Sequence, residues 1–297
     1  MTSPTPPPKP PYASPQEAAR IYLLPNLFTA GNMLCGFLSI KNCIEARFTA
    51  LTASGRAEHY NLAVWFILFA CVFDLFDGRV ARATKRESLF GAEFDSIADT
   101  VSFGVAPALM ACFLVIKPEV TENVQLITWL LAFIYLLCAG VRLARFNVLT
   151  NPLVPGNEKR AAGGDFVGLP SPAAAGIIAS LVLVLSKVLS DSDQADPFAQ
   201  TVQAWSWTLL PVMLVISFLM VSNVRFPSFK KFDWSTQAKA RGFILIIILG
   251  TVFFRYPHYS FPAVLLGYVG FSLVRHFFLL KKSDLDPAPD DDDEIVP

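Results

Sequence analysis

Four aspartates, Asp74, Asp77, Asp95 and Asp99, crowd into a stretch that is otherwise rich in Phe, Leu, Val and Ala. The local sequences are Phe73-Asp74-Leu75-Phe76-Asp77-Gly78-Arg79-Val80-Ala81-Arg82 and Gly91-Ala92-Glu93-Phe94-Asp95-Ser96-Ile97-Ala98-Asp99. On a helix, a spacing of three (Asp74, Asp77) or four (Asp95, Asp99) puts both carboxylates on one face. Four converging carboxylates repel one another and cannot all ionise without compensating charge. Hard divalent cations such as Mg²⁺ or Mn²⁺ are the natural compensation, because they prefer oxygen ligands. Ions held in this way bind phosphate in turn, which points to chemistry on a phosphate ester. Gly78 and Gly91 leave room for a bulky ligand to approach the backbone, and Arg82 can pair with a phosphate. The competing reading is a charge network bracing two helices through Arg79 and Arg82, but four carboxylates and two glycines exceed what bracing requires.

The elements that must position these residues are membrane spans. Hydrophobic residues make up 54% of the 297 and charged residues only 16%, with a mean hydropathy of +0.48. That is too little charge to cover the surface of a soluble chain of this length. The apolar runs each extend to about the 20 residues that cross a bilayer. The fold expected is all-α, a polytopic transmembrane bundle of about eight spans, near 25–46, 61–82, 94–116, 124–147, 170–190, 205–223, 239–255 and 260–280. Lys and Arg concentrate in alternate segments, among them Arg79, Arg82, Lys85, Arg86, Arg142, Arg145, Lys230, Lys231, Lys281 and Lys282. By the positive-inside rule both termini are then cytoplasmic. The second and third spans run antiparallel, so the two aspartate pairs face each other just below the cytoplasmic surface.

Around this bundle, residues 1–14 read as a disordered Pro-rich tail and 15–24 as an interfacial helix. Residues 25–223 form the membrane core, 224–282 add two spans, and 283–297 are an acidic disordered tail that contains the run Asp290–Glu294. The formal charge is zero, and the partners expected are membrane lipids and not nucleic acid. Five cysteines lie in or beside apolar runs without metal-type spacing, and are expected to be packing residues.

The pattern Asp74-x2-Asp77-Gly78-x2-Ala81-Arg82-x8-Gly91-x3-Asp95-x3-Asp99 resembles the complete signature of the CDP-alcohol phosphatidyltransferases. The flanks Thr100-Val101-Ser102-Phe103-Gly104-Val105-Ala106-Pro107, Arg142-Leu143-Ala144-Arg145-Phe146-Asn147 and Phe166-Val167-Gly168-Leu169-Pro170-Ser171-Pro172 resemble the branch of that family that accepts serine, and Pro25-Asn26-Leu27-Phe28-Thr29 resembles the family's start. The resemblance implies transfer of a phosphatidyl group from CDP-diacylglycerol to the hydroxyl of L-serine, giving phosphatidylserine and CMP. It implies that Asp74, Asp77 and Asp95 ligate Mg²⁺ or Mn²⁺, and that Asp99 both contacts metal and acts as the catalytic base. It further implies that Asn26, Thr29, Gly78, Ala81, Arg82 and Gly91 shape the CDP site. A homodimer in a prokaryotic cytoplasmic membrane, with its site on the cytoplasmic side, is also implied. The chemistry agrees: losing CMP requires its charge to be neutralised, and the attacking alcohol must give up its proton.

The acceptor is read from the flanks. The carboxylate of serine wants a guanidinium, and Arg142 and Arg145, three apart, are expected to share a pocket near the aspartates. Inositol phosphate or glycerol 3-phosphate would also want arginines, and choline an aromatic cage, so these acceptors stay open. A cation transporter is the alternative from another class, and would need acidic residues stacked across the bilayer. Ser171, between Pro170 and Pro172, reads as a device that starts a helix.

Overall fold

The structure, a computed structural model, describes residues 22–49, 52–84, 88–116, 121–150, 166–191, 206–226 and 255–285. The first helix, α1 (Leu23–Phe48), opens with Pro25 in its first turn, where a missing N–H costs nothing. Helix α2 (Ala53–Thr84) starts earlier than its apolar run predicts, because polar residues from Ser54 to His59 continue the ladder ahead of the apolar part. At 1.5 Å per residue it is about 48 Å long, more than a bilayer core requires. These two helices pack along their length: the Ser39 hydroxyl donates to the Ala63 carbonyl at 2.9 Å, and Phe28 meets the rings of Phe73 and Phe76.

The third span is compound. Helix α3 (Leu89–Asp99) begins at Ser88, whose side chain caps the Gly91 N–H at 3.1 Å. A π-helical turn (Thr100–Val105) follows, and α4 (Ala106–Val115) completes the crossing. Helix α5 (Glu122–Thr150) returns along it. Its Tyr135, fully buried, donates to the Phe103 carbonyl at 2.9 Å, so a main-chain oxygen within the π turn finds a partner. Helix α6 (Ser171–Asp191) and α7 (Leu209–Val221), which extends a short 3₁₀ turn at Ser206–Thr208, follow. The last described helix is α8 (Pro257–Leu285).

Between them sits a clasp of two-residue strands, β1 (Phe166–Val167) and β2 (Arg225–Phe226), paired antiparallel. Gly168, at φ 81°, turns the chain from β1 towards α6. A Cβ there would stand 2.2 Å from the Met220 carbonyl oxygen, so only glycine fits. The amides of Gly168 and Leu169 donate to the carbonyls of Val224 and Leu219, tying the start of α6 to the end of α7.

Five helices among the described residues are long and apolar enough to cross a membrane: α1, α2, the α3–α4 compound, α5 and α6. The expectation of eight is therefore met only in part. Helix α7 lies in a shorter apolar stretch. Helix α8 has 29 residues and is not among these five. The span expected at 239–255 lies outside the described residues apart from Arg255, as do nearly all of both expected tails and of the interfacial helix. The compound span and α6 are the inner pair, buried over 67% and 61% of their apolar windows, against 22% for α5. The outer helices expose Leu34, Phe37, Leu130, Phe133 and Leu137, as surfaces facing lipid would. All five cysteines are free thiols; Cys35, Cys43 and Cys112 are buried and Cys71 and Cys138 half-buried, which agrees with the packing role expected of them.

Candidate active site

Three helix ends meet where the aspartates lie. The first turns of α1, the last turns of α2 and the first turns of α3 come to the same end of the bundle, and the end of α5 and the start of α6 join them. Asp74 stands ten residues from the end of α2 and Asp99 ten from the start of α3, so both lie about 15 Å along their helices from that end.

The carboxylates of Asp74, Asp95 and Asp99 each bring an oxygen within 4.8 Å of the others. Asp77 is within hydrogen-bonding reach of Asp95, so the four form one cluster. Asp77 and Asp99 are buried, and Asp74 and Asp95 half-buried. The Asp95 Oδ1 is enclosed without a hydrogen-bond partner among the described residues. Oxygen ligands on opposite sides of a Mg²⁺ ion stand about 4 Å apart, so a hard divalent ion or a close pair fits these donors. The sequence paired the aspartates within each helix, and the fold adds the pairing across helices.

Helix α1 braces the cluster. Thr29 donates to the Asp77 Oδ2 at 3.2 Å, and Asn32 Nδ2 donates to the Asp99 Oδ1 at 3.0 Å. Asn26, Thr29 and Asn32 recur every three residues and so form one polar stripe. The first two were expected at the site. Asn32, the residue that holds Asp99, was not among the expected site residues, and that spacing is the signal that could have found it. Asn26 lies beside Gly91, where a Cβ would stand 3.5 Å from the Asn26 Oδ1 and 3.4 Å from the Ser88 hydroxyl. The Asn26 Nδ2 is buried and lacks a partner among the described residues. Gly78 follows Asp77 directly and is half-buried. Ala81 and Arg82 continue the same helix for another turn, their side chains outside the described residues.

The two arginines of α5 part company. Arg142 is buried and donates through Nη1 to the Ser171 hydroxyl at 2.6 Å. It lies close enough to Asp99 and Asp74 to feel their charge. Arg145 is exposed, and donates instead to the Asn223 Oδ1 at 2.9 Å and the Val221 carbonyl at 3.4 Å. Residues three apart on a helix differ by about 60° around its axis, which at the edge of a buried face sends one inward and one outward. Ser171 does open α6 as expected, but its hydroxyl is spent on Arg142. Asn147, one turn beyond Arg142, ties α5 to α3 through the Ser96 hydroxyl at 2.8 Å.

Residues 22–212 match the family model described as CDP-alcohol phosphatidyltransferase. The chain belongs to this family. The match runs from the first turn of α1 into α7 and contains every residue of the cluster. Among the curated members similar to it is the CDP-diacylglycerol–serine O-phosphatidyltransferase of Helicobacter pylori, 34% identical over 88% of this chain and 94% of that protein. The Bacillus subtilis protein of the same name is 30% identical over 70% of this chain and 92% of its own length. An archaetidylserine synthase of Methanothermobacter thermautotrophicus is 31% identical over 69% of both. The family assignment leaves the reaction of this particular chain to its site.

Proposed function

We propose that this chain transfers the phosphatidyl group of CDP-diacylglycerol to the hydroxyl of L-serine, releasing CMP and leaving phosphatidylserine in the membrane. The observation that carries this reading is the convergence of Asp74, Asp95 and Asp99 within 4.8 Å, in a chain whose full-length relatives bear the name of that reaction. Asp74, Asp77, Asp95 and Asp99 would hold Mg²⁺ or Mn²⁺. Ions bound there supply the positive charge that a pyrophosphate and a departing CMP need. Asn26, Thr29, Gly78, Ala81, Arg82 and Gly91 line the CDP pocket, and the Asn26 Nδ2 beside Gly91, without a partner among the described residues, supports a polar ligand at that point.

Asp99 takes the proton of the serine hydroxyl. The hydroxyl oxygen forms a bond to the phosphorus on the lipid side, and the bond from that phosphorus to the bridging oxygen breaks, its electron pair leaving on CMP. The Asn32 amide on one Asp99 oxygen supports a base held in a single orientation, as general-base catalysis requires. Of the two arginines, Arg142 is the better fit for the serine carboxylate, because it is buried and its Nε has no partner among the described residues. Arg145, satisfied by Asn223 and Val221, serves the rim of the acceptor site. The excess of Lys and Arg in alternate segments supports both termini and the site on the cytoplasmic side, and the resemblance to the serine-accepting branch supports a prokaryotic cytoplasmic membrane. A homodimer is the assembly proposed, from the family resemblance.

The test is a headgroup assay on the purified protein in vesicles containing CDP-diacylglycerol, offered labelled serine, choline, inositol phosphate or glycerol 3-phosphate. Phosphatidylserine should form only from serine, and only with Mg²⁺ or Mn²⁺ present. Product from glycerol 3-phosphate and none from serine would overturn the acceptor and leave the reaction class standing.

A further inference from the structure

Two enclosed polar atoms, on residues that engage Asp99 by a hydrogen bond or by charge, have no hydrogen-bond partner among the described residues: the Asn32 Oδ1 and the Arg142 Nε. An unpaired buried polar group costs about 1–3 kcal/mol, and more when it belongs to a charged side chain. Such groups are rare unless ordered water, an ion or a ligand satisfies them. Both atoms are also fixed in place. Asn32, fully buried, donates its Nδ2 to Asp99 at 3.0 Å, and its main-chain carbonyl accepts from the Ser102 hydroxyl at 2.9 Å. Turning the amide over would aim its oxygen at a carboxylate, so the hydrogen bond sets Oδ1 as the outward acceptor. Arg142 is held by its 2.6 Å bond to Ser171, which is itself fully buried.

The two atoms are opposite in character. One is a carbonyl oxygen that can only accept, the other a guanidinium N–H that can only donate. Both belong to residues that engage Asp99, one by a hydrogen bond and one by charge. A small alcohol carrying an ammonium and a carboxylate answers this pattern, with its hydroxyl towards Asp99.

We propose that Asn32 and Ser171 determine acceptor specificity, the Asn32 Oδ1 receiving the acceptor's ammonium and Ser171 holding Arg142 so that its Nε–H meets the carboxylate. The proposal rests on phosphatidyl transfer to serine. Asn32 touches the acceptor, whereas Ser171 acts through Arg142 and is a positioning residue.

The experiment measures competition against labelled serine by ethanolamine, which lacks the carboxylate, and by 3-hydroxypropionate, which lacks the ammonium. For the unmodified enzyme, each should bind about tenfold or more weakly than serine, as the loss of one charged hydrogen bond requires. Ser171→Ala should weaken 3-hydroxypropionate about tenfold more than ethanolamine, and Ser171→Thr, which keeps the hydroxyl, should restore much of the difference. Asn32→Ala should reverse the preference, weakening ethanolamine more. An analogue that competes as well as serine refutes its half of the subsite with no variant needed. Equal losses for both analogues, or a shifted metal requirement in Asn32→Ala with ethanolamine binding intact, would also overturn the proposal. Absence of any phosphatidylserine from the unmodified enzyme would instead sink the proposed function itself.

Discussion

Asp77 and Asp99 each meet a side chain from α1, Thr29 and Asn32, and these contacts make the carboxylates unequal. Asp99 is held through one oxygen, which suits a group that must receive a proton from a fixed direction. Asp99→Asn should abolish phosphatidyl transfer while metal-dependent binding of CDP-diacylglycerol survives. Labelled-product assays set beside a binding measurement separate the two, and unimpaired turnover in that variant would rule Asp99 out as base. Thr29→Val removes the donor to Asp77, a hydroxyl that also reaches the Pro25 carbonyl at 3.4 Å. Losing a partner of a metal ligand typically weakens metal affinity 10- to 100-fold, so half-maximal activity should need about tenfold more Mg²⁺ or Mn²⁺. A metal titration that does not move would leave Thr29 with a packing role.

At the scale of elements, close backbone approach decides where the site forms. A Cβ on Gly36 would stand 2.4 Å from the Ser102 hydroxyl and 2.7 Å from the Ser102 Cα, so α1 lies directly against the π turn. Gly36→Val should push α1 off that turn and lower both thermal stability and activity, since α1 carries the braces of the cluster. Gly168→Ala meets a carbonyl and a left-handed φ together. Strain of that kind costs about 1–3 kcal/mol, which should appear as a lower unfolding temperature in detergent, with serine binding weakened as α6 loses its anchor. Much of this arrangement was legible beforehand. The aspartate spacing marked the cluster, and apolar runs marked the helices to within a few residues at most ends. The start of α2 was missed because a helix can continue through polar residues once its ladder is nucleated. The π turn was missed although Pro107, just beyond it, lacks the N–H that would meet the Phe103 carbonyl, the oxygen that Tyr135 satisfies instead. The parting of Arg142 from Arg145 depends on which face of α5 is covered, which spacing alone does not tell.

For the whole molecule, the proposed chemistry lies towards one end of the bundle, about 15 Å along α2 and α3 from the termini that gather there. Sealed vesicles test that polarity: inverted membranes should convert external serine, and right-side-out membranes should not until permeabilised. Chelation of divalent ions should stop the reaction in both, and added Mg²⁺ or Mn²⁺ should restore it. The third span reaches both ends of the molecule, yet it need not obey one rotational phase throughout. An extra residue in a helical turn rotates everything beyond it by about 100°, and the π turn sits directly after Asp99. The acidic half of the span and its greasy half are therefore indexed separately. Substitutions that retune the fit of Ala106–Val115 against its neighbours can accumulate without swinging the aspartates away from one another. Removing a single residue between Thr100 and Val105 would couple the two halves again, and would force the chain to choose between its packing and its chemistry.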